Sequence, residues 1–134
     1  MIVVDSSAVV AIFRQEADAA SHARRIGEDD QPLMSAANVL ETSIVLRGLK
    51  RIAASDAEHW LDDFLEAAGI RVEPVTAAQA DLARDAHARF GKGGGHGAQL
   101  NFGDCFAYAL ARSMDVPLLF KGDDFTHTDV EAAS

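Results

Sequence analysis

The hydrophobic pattern of the chain alternates between short apolar runs and longer segments with helical periodicity. Residues 2–4 form a β-branched run, which is typical of a strand buried on both faces. Further strand-like runs occur at 33–34, 70–75 and 118–120. Helical segments lie between these runs, and strands that alternate with helices usually form a parallel sheet. The pattern therefore predicts an α/β fold with a central parallel sheet.

The predicted helices are recognised by their apolar periodicity and by capping residues at their starts. They cover 8–13, 18–26, 36–50, 55–68, 76–90 and 105–111. Ser6 and Ser7 are expected to cap the first helix, and Ser35 the third. Ser55 and Glu58 have the spacing of a capping box, which predicts that the fourth helix begins there.

Carboxylates occur where such a fold would bring them to one edge of the sheet. Asp5 follows the first strand, Asp104 opens a buried helix, and the pair Asp123-Asp124 follows the last strand. The carboxyl ends of parallel strands meet at the same edge, which is where open α/β sheets bind ligands. We therefore expect these side chains to converge.

Glu41 is the fourth acidic position, and it is the hardest to explain as a surface residue. Its companions on one helical face are apolar or small: Ala37, Leu40, Ile44, Val45 and Gly48. This stripe is predicted to face inward. A carboxylate on an inward stripe needs a partner or a metal ion.

Oxygen ligands without His or Cys suit a hard cation such as Mg²⁺ or Mn²⁺, and the five histidines lack the spacing of a zinc site. Each acidic residue also has an ordinary structural explanation. Asp5 could be a helix cap, Asp104 could interact with a helix dipole, and Asp123 and Asp124 could be turn residues. Four such coincidences at one sheet edge are less plausible together, so the spacing favours a metal site.

Composition narrows the class of protein. The chain has 134 residues, which fits one domain over 1–134, and a net charge of −9, which argues against a free-standing basic nucleic-acid binder. An enzyme that recruits cations is still compatible with this charge.

Cys105 is the single cysteine, and neither a leader nor a membrane span is visible, so a cytoplasmic protein is expected. The glycine-rich segment 91–97 is predicted to be a mobile surface loop, because no Ser or Thr follows Lys92 as a P-loop requires.

Taken together, these motifs resemble the PIN-domain ribonucleases of the VapC toxin family. Four stretches carry the resemblance: 3–8, 38–42, 100–111 and 117–125. They contain an opening Asp, a second acidic position, an Asp before a small apolar helix, and a closing Asp-Phe pair. The resemblance spans nearly the whole chain, and the stretch around Asp104 is its most specific part.

The resemblance implies a single PIN domain with a three-layer α/β/α fold, acting as a Mg²⁺-dependent endoribonuclease in which Mn²⁺ can substitute. It implies the toxin of a bacterial type II toxin–antitoxin pair, a homodimer inhibited by a VapB-type antitoxin that threads its tail over the acidic site. Operator DNA would be bound only through the antitoxin, and the substrate would be tRNA, rRNA or mRNA.

The resemblance also implies the site residues Asp5, Glu41, Asp104 and Asp124, both as catalytic residues and as metal ligands. Gly122 stands where many family members carry Asp, so the fourth carboxylate is either Asp123 or Asp124. Asp124 is preferred because it aligns with the Asp-Phe pair.

Three alternatives were weighed against the ribonuclease. A receiver-type signalling module needs an acidic pair after the first strand, but Ser6 follows Asp5, and no Asp follows 33–34. A haloacid-dehalogenase-type phosphatase needs a second Asp at the position of Ser7. A catalytically silent PIN-like binding module stays open, although four retained carboxylates disfavour it.

Overall fold

A computed structural model describes residues 1–95 and 97–134. Its strands are β1 Ile2–Val4, β2 Pro32–Ser35, β3 Arg71–Glu73 and β4 Leu118–Leu119. They form a sheet of order β3-β2-β1-β4 in which every neighbouring pair is parallel. The predicted parallel α/β sheet is therefore confirmed. The glycine-rich loop predicted over 91–97 includes His96, which lies outside the described residues.

The helices are α1 Ser6–Phe13, α2 Ala19–Glu28, α3 Ala36–Arg47, α4 Ala54–Ala67, α5 Ala77–Phe90 and α6 Phe102–Met114. They cover both faces of the sheet. Val3 of β1 packs with apolar side chains of α5 and α6, whereas Ile2 and Val4 pack with those of α1, α2, α3 and α4. Successive side chains of a strand point to opposite faces, so β1 is buried twice and the fold has three layers. Among the described residues, no helix combines the length and the apolar character needed to cross a membrane.

Two helix starts differ from the predictions. Asp5, rather than Ser6 or Ser7, caps α1, because its carboxylate accepts the backbone N–H of Ser7. The capping box predicted at Ser55 is wrong: α4 begins at Ala54, and Ser55 lies inside the helix. Glu58 accepts a hydrogen bond from the Ser43 hydroxyl of α3 instead, so its carboxylate joins two helices and does not cap one.

Helix α3 exposes the apolar face that was predicted to be buried. Leu40, Ile44 and Val45 are 59%, 54% and 40% exposed, while Asn38 and Thr42 are fully buried. The polar side chains can be buried because they are hydrogen-bonded: the Thr42 hydroxyl donates to the Asn38 carbonyl at 2.7 Å, and the Asn38 amide donates to the Gly103 carbonyl at 3.0 Å. The apolar stripe therefore faces outward. The helix also ends at Arg47, three residues earlier than predicted.

Candidate active site

Asp5 stands at the end of β1 and at the start of α1. Its backbone N–H donates to the Leu119 carbonyl at 2.9 Å, and its Oδ2 accepts the Ser7 N–H at 3.0 Å. The residue is 3% exposed, yet within the described part of the chain Oδ1 is buried without a hydrogen-bond partner. One carboxylate oxygen of Asp5 is thus fixed and the other is left for a proton or a cation.

Glu41 is held by two neighbouring polar side chains. Its Oε1 accepts the Ser6 hydroxyl at 2.6 Å and the Asn38 amide at 3.2 Å. Its Oε2 lies against the backbone of Gly103, where an added Cβ would come within 1.7 Å of that oxygen. Only glycine at position 103 leaves room for the carboxylate, so α6 must present Gly103 to α3 for Glu41 to occupy this place.

Asp104 belongs to a reciprocal cap at the start of α6. Its backbone N–H donates to Asn101 Oδ1 at 2.9 Å, and its Oδ2 accepts the Asn101 N–H at 3.0 Å. This is the capping-box arrangement, which fixes the carboxylate as well as the helix start. Asp104 is 7% exposed, and it lines the neighbouring cavity as well as capping the helix.

The four predicted carboxylates line one cavity of about 340 Å³, here called the acidic pocket. Its walls are Asp5, Ser6, Ser7, Val10, Glu16, Glu41, Val45, Asn101, Asp104, Lys121 and Asp124. Asp124 is among these residues and Asp123 is not. The structure therefore brings Asp5, Glu41, Asp104 and Asp124 together, while their catalytic role stays a prediction.

Two carboxyls of the acidic pocket, Asp5 and Asp104, have raised pKa values. The pKa of Asp5 is raised to about 6, mainly by burial and to a lesser extent by the charge of Glu41, against the lowering effect of its hydrogen bonds from Ser7. Burial likewise raises the pKa of Asp104 to about 7; the Asn101 N–H opposes the rise, and the charges of Asp5, Asp124 and Glu41 add to it. A bound cation would relieve this repulsion.

The donor set fits a hard divalent cation. It consists of carboxylate oxygens, which such cations prefer. One of them, the buried Oδ1 of Asp5, has no hydrogen-bond partner among the described residues and could bind a cation. Across residues 1–95 and 97–134, no three His, Cys, Asp or Glu side chains are grouped closely enough to hold a metal ion by themselves. Mg²⁺ does not need three protein ligands, because it usually keeps several waters and binds through one or two carboxylates.

Sequence reasoning missed the residues that hold Glu41 in place. Ser6 and Asn38 donate hydrogen bonds to its carboxylate, and Gly103 makes room for it. Asn38 lies three residues before Glu41 on one helix, a spacing at which side chains meet. That spacing was visible in the sequence, whereas the contact with Gly103 depends on how α3 and α6 pack.

Comparisons with known proteins agree with this geometry. The family model of the PIN domain matches residues 2–131. The ribonuclease VapC28 of Mycobacterium tuberculosis is 50% identical over 132 residues, which cover 98% of this chain and 97% of that protein. The crystal structure of VapC20 from the same organism, described as a sarcin-ricin loop cleaving toxin, has a TM-score of 0.75 at 19% identity and covers 97% of this chain and 96% of that one.

VapBC2 from Rickettsia felis, bound to a DNA fragment from its promoter, has a TM-score of 0.69 at 14% identity, covering 98% of this chain and 96% of that one. At this identity the two solved structures show the fold alone. The chain belongs to the PIN-domain family and, within it, to the VapC ribonucleases. The predicted family and enzyme class, a ribonuclease, are thereby confirmed.

Proposed function

We propose that the chain is a Mg²⁺-dependent endoribonuclease, with Mn²⁺ able to substitute, and that it acts as the toxin of a VapBC pair. The observation that carries this proposal is the acidic pocket, where the four predicted carboxylates, from four parts of the chain, share one cavity. The raised pKa values of Asp5 and Asp104 support it, since functional sites often hold such groups. PIN-domain ribonucleases are in general dependent on divalent metal ions.

In this proposal Asp5, Glu41, Asp104 and Asp124 would hold the metal, some directly and some through the waters that Mg²⁺ keeps. When bound, the metal would supply an activated water and neutralise charge on the leaving oxygen. The rest of the pocket keeps these ligands in place. The Ser7 N–H fixes one oxygen of Asp5, and the reciprocal cap fixes Asp104. Because these hydrogen bonds exist before substrate binds, little reorganisation is needed when charge develops on the phosphate.

The proposed partners follow from charge and exposure. A VapB-type antitoxin would cover the acidic pocket and place a basic side chain in it. The complex would bind operator DNA only through the antitoxin.

Homodimerisation is proposed at the outward apolar face of α3, where Leu40 and Ile44 lie beside Phe102, which is 80% exposed. Exposed apolar surface of this kind marks protein contacts. Light scattering tests the dimer. The wild type should have the molar mass of a dimer and Ile44→Asp that of a monomer. A variant with the same mass as a dimeric wild type would reject this face.

A cleavage assay tests the enzymatic proposal directly. Total RNA is incubated with the protein in Mg²⁺, in Mn²⁺ and in EDTA, beside the variants Asp5→Ala and Asp104→Ala. We expect the wild type to cleave RNA only when metal is present, and the two variants not to cleave it. The variants must be folded and present at the same concentration as the wild type. Cleavage that persists in EDTA or in both variants contradicts the metal site. No cleavage of any RNA by the wild type would favour the silent binding module.

A further inference from the structure

Lys121 is the one cation among the described residues that line the acidic pocket. The other ionisable side chains in its walls are carboxylates, namely Asp5, Glu16, Glu41, Asp104 and Asp124. An RNA strand carries a negative charge at every phosphate, so this wall repels it. Apart from a metal ion, Lys121 is therefore the source of positive charge available to a strand entering the pocket.

The backbone of Lys121 is fixed relative to the carboxylates. Its N–H donates to the Ser7 hydroxyl at 2.9 Å, and the N–H of Ser7 donates to Asp5 Oδ2 at 3.0 Å. Two hydrogen bonds thus connect the start of the Lys121 side chain to the first carboxylate of the pocket. A group anchored in this way can set a constant distance between a substrate contact and the reacting centre.

The ammonium of Lys121, in contrast, is weakly held. It pairs with Glu16 at 3.2 Å and Asp18 at 3.1 Å, and all three side chains are between 31% and 39% exposed. Ion pairs at such exposure contribute little net stability. An ammonium has three donors, so these two carboxylates leave one for a further acceptor.

We propose that Lys121 binds a phosphate of the RNA strand next to the scissile phosphate, and that Glu16 and Asp18 hold its ammonium at the rim of the pocket until the strand arrives. This inference rests on the proposed ribonuclease function. The competing explanation is structural: Lys121 would merely connect the end of β4 to the segment between α1 and α2.

Kinetics of cleavage separate the two explanations. Lys121→Gln is compared with Lys92→Gln, which removes the same charge from an exposed lysine outside the pocket. The probe is a fluorescein-labelled RNA oligonucleotide containing a site that the wild type cleaves in total RNA. Loss of one phosphate contact should raise the KM of Lys121→Gln about tenfold, as 1.4 kcal/mol would, with a much smaller change in kcat. The slope of log KM against log salt should fall by about 0.7, and Lys92→Gln should change neither quantity in this way.

Asp18→Asn supplies a readout that a structural tie would not move. Asp18 lies outside the pocket walls, and the amide removes the charge that competes for the ammonium. Phosphate binding predicts that Asp18→Asn lowers KM. It also predicts that Lys121→Gln raises KM by a larger factor in the Asp18→Asn variant than in the wild type. A purely structural role predicts a wild-type KM for both variants and at most a small fall in their melting temperatures.

Each outcome decides between the proposals. A wild-type KM and salt dependence for Lys121→Gln, in a preparation whose wild type cleaves the probe, overturn the role of Lys121 and leave the ribonuclease proposal intact. A wild type that cleaves no RNA overturns both. A selective rise in KM with an unchanged melting temperature supports the phosphate contact.

Discussion

Replacing Asp104 by asparagine should stabilise the metal-free protein. The substitution removes one charge from the acidic pocket and keeps the size of the side chain. Asparagine also retains an oxygen that can accept the Asn101 N–H, so the cap of α6 is preserved. What is lost is the carboxylate whose pKa is raised from 3.8 to about 7, first by burial and then by its acidic neighbours.

The raised pKa sets both the sign and the pH range of the effect. The folded state binds a proton at Asp104 more tightly than the unfolded state, so ionisation of this carboxyl destabilises the fold. The penalty is absent well below the unfolded pKa of 3.8, grows as the pH rises, and is complete above the folded pKa of about 7. The apo wild type should therefore lose stability as the pH rises between these two values, and Asp104→Asn should lose less.

The magnitude follows from the size of the shift. A change of about three pKa units corresponds to about 4 kcal/mol, and we halve this to about 2 kcal/mol because the pocket is open to solvent. For a domain of this length, about 2 kcal/mol raises the melting temperature by roughly 7 °C. The advantage of the variant should be greatest near pH 8 and fall to less than half near pH 5, where the folded carboxyl is already protonated.

Thermal denaturation at both pH values, in EDTA and in Mn²⁺, measures the effect. Asp123→Asn is the matched control, since it makes the same chemical change at an exposed residue outside the pocket. The wild type should gain stability from Mn²⁺ by mass action, and Asp104→Asn should gain less because a ligand is missing. A variant that is less stable than wild type in EDTA at pH 8 and responds fully to Mn²⁺ would show that Asp104 is only a helix cap.

Two further pairs of substitutions test how the pocket is built. Gly103→Ala should displace the Glu41 carboxylate and lower the cleavage rate on the order of a hundredfold. Its control, Gly27→Ala in open space on α2, should keep the cleavage rate and raise stability by up to about 1 kcal/mol; similar activity losses in both variants would refute the contact. Asp124→Asn should lower the cleavage rate more than Asp123→Asn, and the reverse order would assign the fourth carboxylate to Asp123.

The sequence was sufficient to predict the sheet and the meeting point of most carboxylates. The β-branched run of β1 and the order of strands and helices require a parallel sheet, and Asp5 and Asp124 follow strand ends, which a parallel sheet places at one edge. The contact of Gly103 with Glu41 was not predictable in the same way. It depends on the approach of α6 to α3, which no local pattern encodes.

The placement of Glu41 beside the other carboxylates was expected from the sequence, but the reason for expecting it was incorrect. The sequence suggested that Glu41 is held inside because its neighbours on the helical face are apolar, but Leu40 and Ile44 are exposed. Glu41 lines the acidic pocket because Asn38, one turn earlier, is buried and donates to it. An apolar stripe that includes a carboxylate is therefore ambiguous: it indicates the core of the protein, or a surface available to a second protein. The polar face of the helix does not resolve the ambiguity from sequence, because water satisfies exposed polar side chains equally well. Asn38 and Thr42 can be buried only because the fold supplies acceptors for them, the carbonyls of Gly103 and Asn38.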